Sequence, residues 1–176
     1  RDHCVTGVQT CALPIFRPGF AFGGSCLPKD LRAVVRYAEK EGVRVPLLAS
    51  VLPANHEHLQ RGVRAVQEFG VRKIGMIGLS FKAGTDDLRE SPLVELAETL
   101  LGRGYQIKIY DPGISISRLR GKNLAYVDQK LPHLAELLVG EVEELYRHAD
   151  MLILGNNIAD SRSEEHTSEL QSHSDL

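Results

Sequence analysis

The run IGMIGL at residues 74–79, six apolar or glycine residues closed by a serine, narrows the possible folds more than any other feature of the chain. An apolar run of this length with no polar alternation reads as a strand buried on both faces, a placement typical of parallel sheets. A loop at 80–90 follows. Ser91 and Pro92 then mark a helix start, with serine as the N-cap and proline in the first turn, where its missing N–H is no loss. Leu93, Val94, Leu96, Ala97, Leu100 and Leu101 recur at helical spacing, and Gly102 or Gly104 supplies the stop. Residues 106–110 alternate as a second strand that runs into Asp111, Pro112 and Gly113. Strand, helix and strand with connections this short predict a right-handed crossover unit. A helix at 142–148 and a third apolar strand at 151–154 extend it, so the expected fold is α/β, a truncated, Rossmann-like, doubly wound parallel sheet. Between residues 112 and 140 the pattern is poorly legible, and only a helix around 134–139 is read.

Upstream the character is helical. Leu31, Val34, Val35 and Ala38 share one face, with Arg32, Arg36, Glu39 and Lys40 opposite; Asp30 is read as the start and Gly42 as the end. A second helical pattern runs from Pro46 to Phe69, with Gly70 as its stop. Pro53 lies inside it, so either the helix kinks or two pieces meet there, and a bend is expected. Little else in the chain could cover the apolar stripe of such helices, which points to a partner surface.

The chain has 176 residues, 43% hydrophobic and 25% charged, enough for one globular core and an appendage. A net charge of -2 without a basic block argues against nucleic acid as a partner. No apolar run is long enough to cross a bilayer, and residues 5–16 lack the basic lead-in and small-residue cleavage pattern of a signal peptide. No membrane partner is therefore expected, and a cytoplasmic address is the default. The histidines are scattered and imply no metal site.

The two ends read as foreign. One DNA string encodes RSEEHTSELQS at 162–172, and its reverse complement encodes VTGVQTCALPI at 5–15. This resembles a sequencing-library adapter translated in frame at both ends of a DNA fragment. Residues 1–15 and 162–176 are accordingly expected to be adapter-derived tails. The expected division of the rest is a helical middle-domain segment at 16–70 and a truncated C-terminal domain at 71–161. Of Cys4, Cys11 and Cys26, only Cys26 then belongs to the fold.

Cys26 lies in GGSCLPKD, between a pair of glycines and a Pro-Lys-Asp turn. Gly23 and Gly24 let the backbone approach a ligand closely. Lys29 and a helix start are near, and positive charge favours the thiolate that makes cysteine a nucleophile. Taken alone, a cysteine beside a tight turn is more often an inert buried residue.

The strings PGFAFGGSCLPKD and GLSFKAGTDDLRESP change that weighting. They resemble the nucleotide-sugar 6-dehydrogenases, the UDP-glucose/GDP-mannose dehydrogenase family, over essentially all of residues 16–157, and are closest to its members that act on GDP-mannose. The resemblance implies oxidation of a sugar C6 alcohol to a carboxylate by two hydride transfers to NAD, through a thioester on Cys26. Asp30 matches the aspartate that positions the hydrolytic water. Phe20, Gly23, Gly24 and Ser25 match the loop lying against the nucleotide sugar, and Phe81 and Lys82 match substrate contacts. Lys29 matches a residue that meets the NAD pyrophosphate, and Arg89 one that reaches the nicotinamide side. The domain at 71–161 would bind the nucleotide, in a pathway of uronate-polymer synthesis such as alginate. The NAD-binding domain and the catalytic lysine are absent, so this chain alone is expected to be inactive. Oxidation of UDP-glucose, a non-catalytic nucleotide-binding or dimerisation module, and an unrelated Rossmann-like domain are the alternatives. Asp111, at the end of the second strand, reads as a turn cap rather than a ribose-binding acid.

Overall fold

The computed structural model describes residues 20–80, 86–114 and 121–155, without the side chains of Lys122 and Asp128. The elements run α1 (Leu27–Lys40), α2 (Pro46–Glu68), β1 (Lys73–Ile77), α3 (Pro92–Gly102), β2 (Gln106–Tyr110), α4 (Gly121–Lys130), α5 (Leu134–Leu137), α6 (Val142–His148) and β3 (Met151–Leu154).

The three strands form a parallel sheet in the order β2-β1-β3, with Ile74 opposite both Ile107 and Met151. Central β1 is the strand written as a continuous apolar run, whereas β2 alternates buried and half-exposed positions. Ile74, Met76 and Ile109 share one core with Val94, Ala97 and Leu100 of α3 and with Leu59, Val63 and Val66 of α2. The opposite face belongs to α6. A Cβ on Gly75 would lie 2.9 Å from Cγ of the fully buried Leu145, so the missing side chain lets that helix close on the sheet. Helices thus flank both faces, as the sequence predicts. Asp111 is the turn cap expected: its carboxylate accepts from Leu79 N (2.8 Å), Ser80 N (3.4 Å) and Gly113 N (2.9 Å), tying the ends of β1 and β2 together.

The other elements differ from expectation in three places. The helix read at 134–139 ends at Leu137. Leu138 turns extended and bridges Ile109, and Val139 N–H donates to the Ile109 carbonyl at 2.9 Å. The open edge of β2 supplies an unpaired carbonyl, which captures the segment before a second helical turn forms. Second, α1 begins at Leu27 rather than at Asp30: Cys26 occupies the cap, Pro28 sits harmlessly in the first turn, and Asp30 N–H closes that turn on the Cys26 carbonyl at 2.9 Å. α2 continues through Pro53 as one element of 23 residues, so of the two alternatives offered by the sequence the two-piece one does not occur. Pro53 and Ala49, whose carbonyl it cannot bond, are both exposed residues. The third difference is α4, which lies where no helix was legible. No helix among the described residues is long and apolar enough to cross a membrane.

Candidate active site at the seam between the cysteine loop and the sheet

Residues 20–26 are held from two sides. On the α2 side, Asn55 accepts from Phe22 N (3.0 Å) and donates to Phe22 O (2.8 Å), a two-point grip on the loop backbone. Phe20 lies on Gly62, where a Cβ would stand 2.5 and 2.7 Å from its ring carbons, and its centroid is 5.9 Å from the His58 ring. On the sheet side, Gly24 takes φ +88° and its N–H reaches the Glu90 carbonyl at 3.3 Å. Gly23 is closer still: a Cβ there would overlap the Glu90 carbonyl oxygen and stand 2.8 Å from Pro92 Cδ. Glycine at 23 is therefore a packing requirement. The loop delivers Cys26 to the head of α1, exposed, with Sγ 3.8 Å from Ser25 Oγ. Asp30 is one helical turn further along the same helix, and Lys29 Nζ lies 3.4 Å from its carboxylate, both side chains in solvent.

The opposing turn, residues 86–92, is equally fixed. Asn123 of α4 accepts from Leu88 N (3.0 Å) and donates to Asp86 O (2.7 Å). Ser91 caps α3 and gives its hydroxyl to the Leu79 carbonyl at 2.7 Å. Arg89 forks onto Asp87 through Nε (2.8 Å) and Nη2 (2.7 Å). That bond holds the Asp87 carboxyl below its usual range, against the opposing effect of burial and with a smaller contribution from the Ser25 hydroxyl. The Arg89 guanidinium is raised in turn by Asp87 and, more weakly, by Cys26. Ser25, Cys26, Asp87 and Arg89 therefore form one cluster on the side of the sheet where the parallel strands end. Glu90 has φ +51° and pairs with Arg32 of α1 through both carboxylate oxygens.

Of the residues singled out in the sequence, Gly23, Gly24, Ser25, Cys26 and Arg89 meet at this seam. Lys29 and Asp30 sit beside it on α1, and Phe20 is turned onto α2. Phe81 and Lys82 lie outside the described residues. Sequence reasoning missed Asn55, Glu90, Arg32 and Asn123, whose partners are distant in sequence, and Asp87, which pairs with its near neighbour Arg89. Two of them carry a local signal: Asn55 is a poor helix former inside a helix, and Glu90 follows two acids and an arginine immediately before a cap.

A parallel sheet wrapped by helices on both faces, with a cysteine turn docked at its strand ends, defines a Rossmann-like α/β domain joined to a helical one. Residues 75–165 match the UDP-glucose/GDP-mannose dehydrogenase family, UDP binding domain, and residues 6–57 match the central domain of the same family. The chain is 50% identical to GDP-mannose 6-dehydrogenase of Pseudomonas putida over 153 residues, 87% of this chain and 35% of the relative. Among solved structures, a ternary complex of GDP-mannose dehydrogenase from Pseudomonas aeruginosa superposes with TM-score 0.73 at 49% identity, covering 80% of this chain and 32% of that one. A UDP-glucose dehydrogenase of Pyrobaculum islandicum gives TM-score 0.66 at 31% identity, covering 81% and 32%. The chain belongs to the UDP-glucose/GDP-mannose dehydrogenase family. It spans about a third of the length of the relatives it matches.

Proposed function

We propose that the full-length protein containing this segment is an NAD-dependent nucleotide-sugar 6-dehydrogenase that oxidises GDP-mannose to GDP-mannuronate, with Cys26 as the nucleophile. One observation carries the reading: an exposed cysteine on a glycine turn, clustered with the Arg89–Asp87 pair contributed by a separate domain. The higher identity to the GDP-mannose enzyme than to the UDP-glucose enzyme, 49% against 31%, favours the mannose substrate.

In this reading Cys26 Sγ adds to the C6 aldehyde, forming a C–S bond while the thiol proton passes to the carbonyl oxygen. Loss of hydride from that carbon and of the hydroxyl proton leaves a thioester, and water positioned by Asp30 then expels Sγ and yields the carboxylate. Bound NAD would supply the hydride acceptor for both oxidations. The residues present suit it: Lys29 is a solvent-facing cation whose described ion-pair partner is its neighbour Asp30, and Arg89 commits Nε and Nη2 to Asp87 while its Nη1, unbonded among the described residues, would meet a carboxamide oxygen. Phe20, Gly23, Gly24, Ser25, Phe81 and Lys82 would serve the nucleotide sugar. We assign 16–70 to the middle domain and 71–161 to the nucleotide-binding domain, with the adapter-like tails outside both. The central-domain match nevertheless begins at residue 6, inside the tail so assigned. The exposed apolar residues Val34, Tyr37, Val43 and Leu47 of the α1–α2 hairpin support a homodimer of this cytoplasmic enzyme.

The test is NADH formation from GDP-mannose. Full-length enzyme should turn over, its Cys26→Ser variant should not complete the oxidation, and the 176-residue chain should give none. A Cys26→Ser enzyme with the parent rate would overturn the assignment.

A further inference from the structure

Among the described residues, Glu90 is the one non-glycine position with a left-handed backbone, at φ +51°. A side chain disfavours that conformation, so neighbouring contacts must hold it. Two are visible. The Glu90 carbonyl takes the Gly24 N–H at 3.3 Å, and its carboxylate lies in the fork of Arg32, with Nη1 to Oε2 at 3.0 Å and a second bond from Nη2 to Oε1. Exposed ion pairs usually contribute little, and these side chains are 44% and 37% exposed. A two-bond guanidinium–carboxylate fork is the exception, because it fixes orientation as well as distance. The two residues are 58 apart in sequence and stand at the roots of the two turns that make the seam. Arg32 is six residues beyond Cys26 on α1, and Glu90 directly follows Arg89.

We infer that Arg32 and Glu90 are positioning residues, a clamp that locks the left-handed turn at Glu90 and so sets where the Arg89 turn stands against the Cys26 loop. Its catalytic consequence rests on the function proposed above; its structural consequence does not. Opening the fork frees the Glu90 backbone, loosens the Gly24 hydrogen bond and lets the two motifs drift apart. The Asn55 grip on Phe22 still holds the loop to α2 and substrate contacts outside the loop are untouched, so the loss falls mainly on turnover.

The experiment has two arms. In the full-length enzyme, Arg32→Gln and Glu90→Gln should each lower kcat about tenfold with KM for GDP-mannose within about twofold, and the charge swap Arg32→Glu with Glu90→Arg should recover most of it. In the 176-residue chain, amide hydrogen exchange of the peptide spanning 20–26 should quicken about tenfold in each single variant and slow again in the swap. Unchanged exchange and kcat in the single variants, or a swap no better than either, would overturn the clamp. If Cys26→Ser retains activity, the catalytic reading fails, and the exchange arm alone still decides whether the clamp exists.

Discussion

The two halves of the chain use apolar residues in opposite ways. In the sheet half, Ile74, Met76, Val94, Leu100, Ile109 and Leu145 are all sealed from solvent. Across the 14 residues of α1 only Pro28 and Ala38 are buried, and in α2 the buried residues Leu59, Val63 and Val66 all lie in the second half. The remainder of the hairpin keeps Tyr37 67% and Leu47 78% exposed. One half is a core that closes on itself. The other is a lever whose root packs on the sheet and whose tip presents an uncovered stripe. The candidate site sits where root and sheet meet, so it inherits rigidity from the sheet and placement from the lever.

That contrast breaks first on truncation of the core. Leu100→Ala should destabilise the chain by about 2–5 kcal/mol in urea unfolding, since a sealed leucine leaves a cavity behind. Leu47→Ala should change it by no more than about 0.5 kcal/mol. Similar losses at both positions would mean that the hairpin tip is covered in the folded chain. The seam should fall between these extremes. Gly23→Ala forces a methyl group into the Glu90 carbonyl, and backbone cannot yield as a flexible side chain would. We expect about 1–3 kcal/mol and faster proteolysis around residue 24. A neutral substitution there would mean that the loop does not rest on Glu90.

How much of this was legible follows the same division. Ile74 and its neighbours announced β1 because a central parallel strand needs apolar residues on both sides, and Ser91 with Pro92 announced the start of α3 because a cap is local chemistry. α4 was hidden because its one buried side chain among those described, Val127, is too little for a periodic stripe. The short end of α5 was hidden because a carbonyl on β2, some thirty residues away, decides it. At the site, Cys26 and Arg89 stood out through the strings around them. Arg32 and Glu90 did not: a charged residue on a helix reads as a solvated face until its partner is seen.

The seam should also titrate where the core does not. Tyr126 is half-buried beside Glu90, Glu95 and Glu98, and burial first, then those carboxylates, push its hydroxyl up to about 12. The folded state thus keeps the proton that an unfolded tyrosine releases near pH 10. This stabilisation is complete below that value and disappears as pH rises towards about 12. Unfolding free energy should fall by about 1–2 kcal/mol across that window, and Tyr126→Phe should flatten the fall. An equal fall in the phenylalanine variant would assign the alkaline loss to other groups.

The finest distinction concerns one backbone angle. Glu90→Ala and Glu90→Gly both remove the carboxylate and its bonds to Arg32, so they differ only in what the main chain at φ +51° tolerates. Glycine adopts that conformation without strain and alanine does not, so Glu90→Gly should be the more stable of the two by about 0.5–1 kcal/mol. The control lies eight residues on. Glu98, in the interior of α3, also pairs with a distant cation, Lys130, at 3.2 Å. There glycine should be the less stable by about 1 kcal/mol, because a helix interior penalises its freedom. The signature is therefore a reversal of sign between two glutamates in matched substitutions, read by urea unfolding. If glycine is the worse residue at both positions, the chain at 90 is not left-handed, and the Gly24 contact that seats the cysteine loop loses its geometric basis.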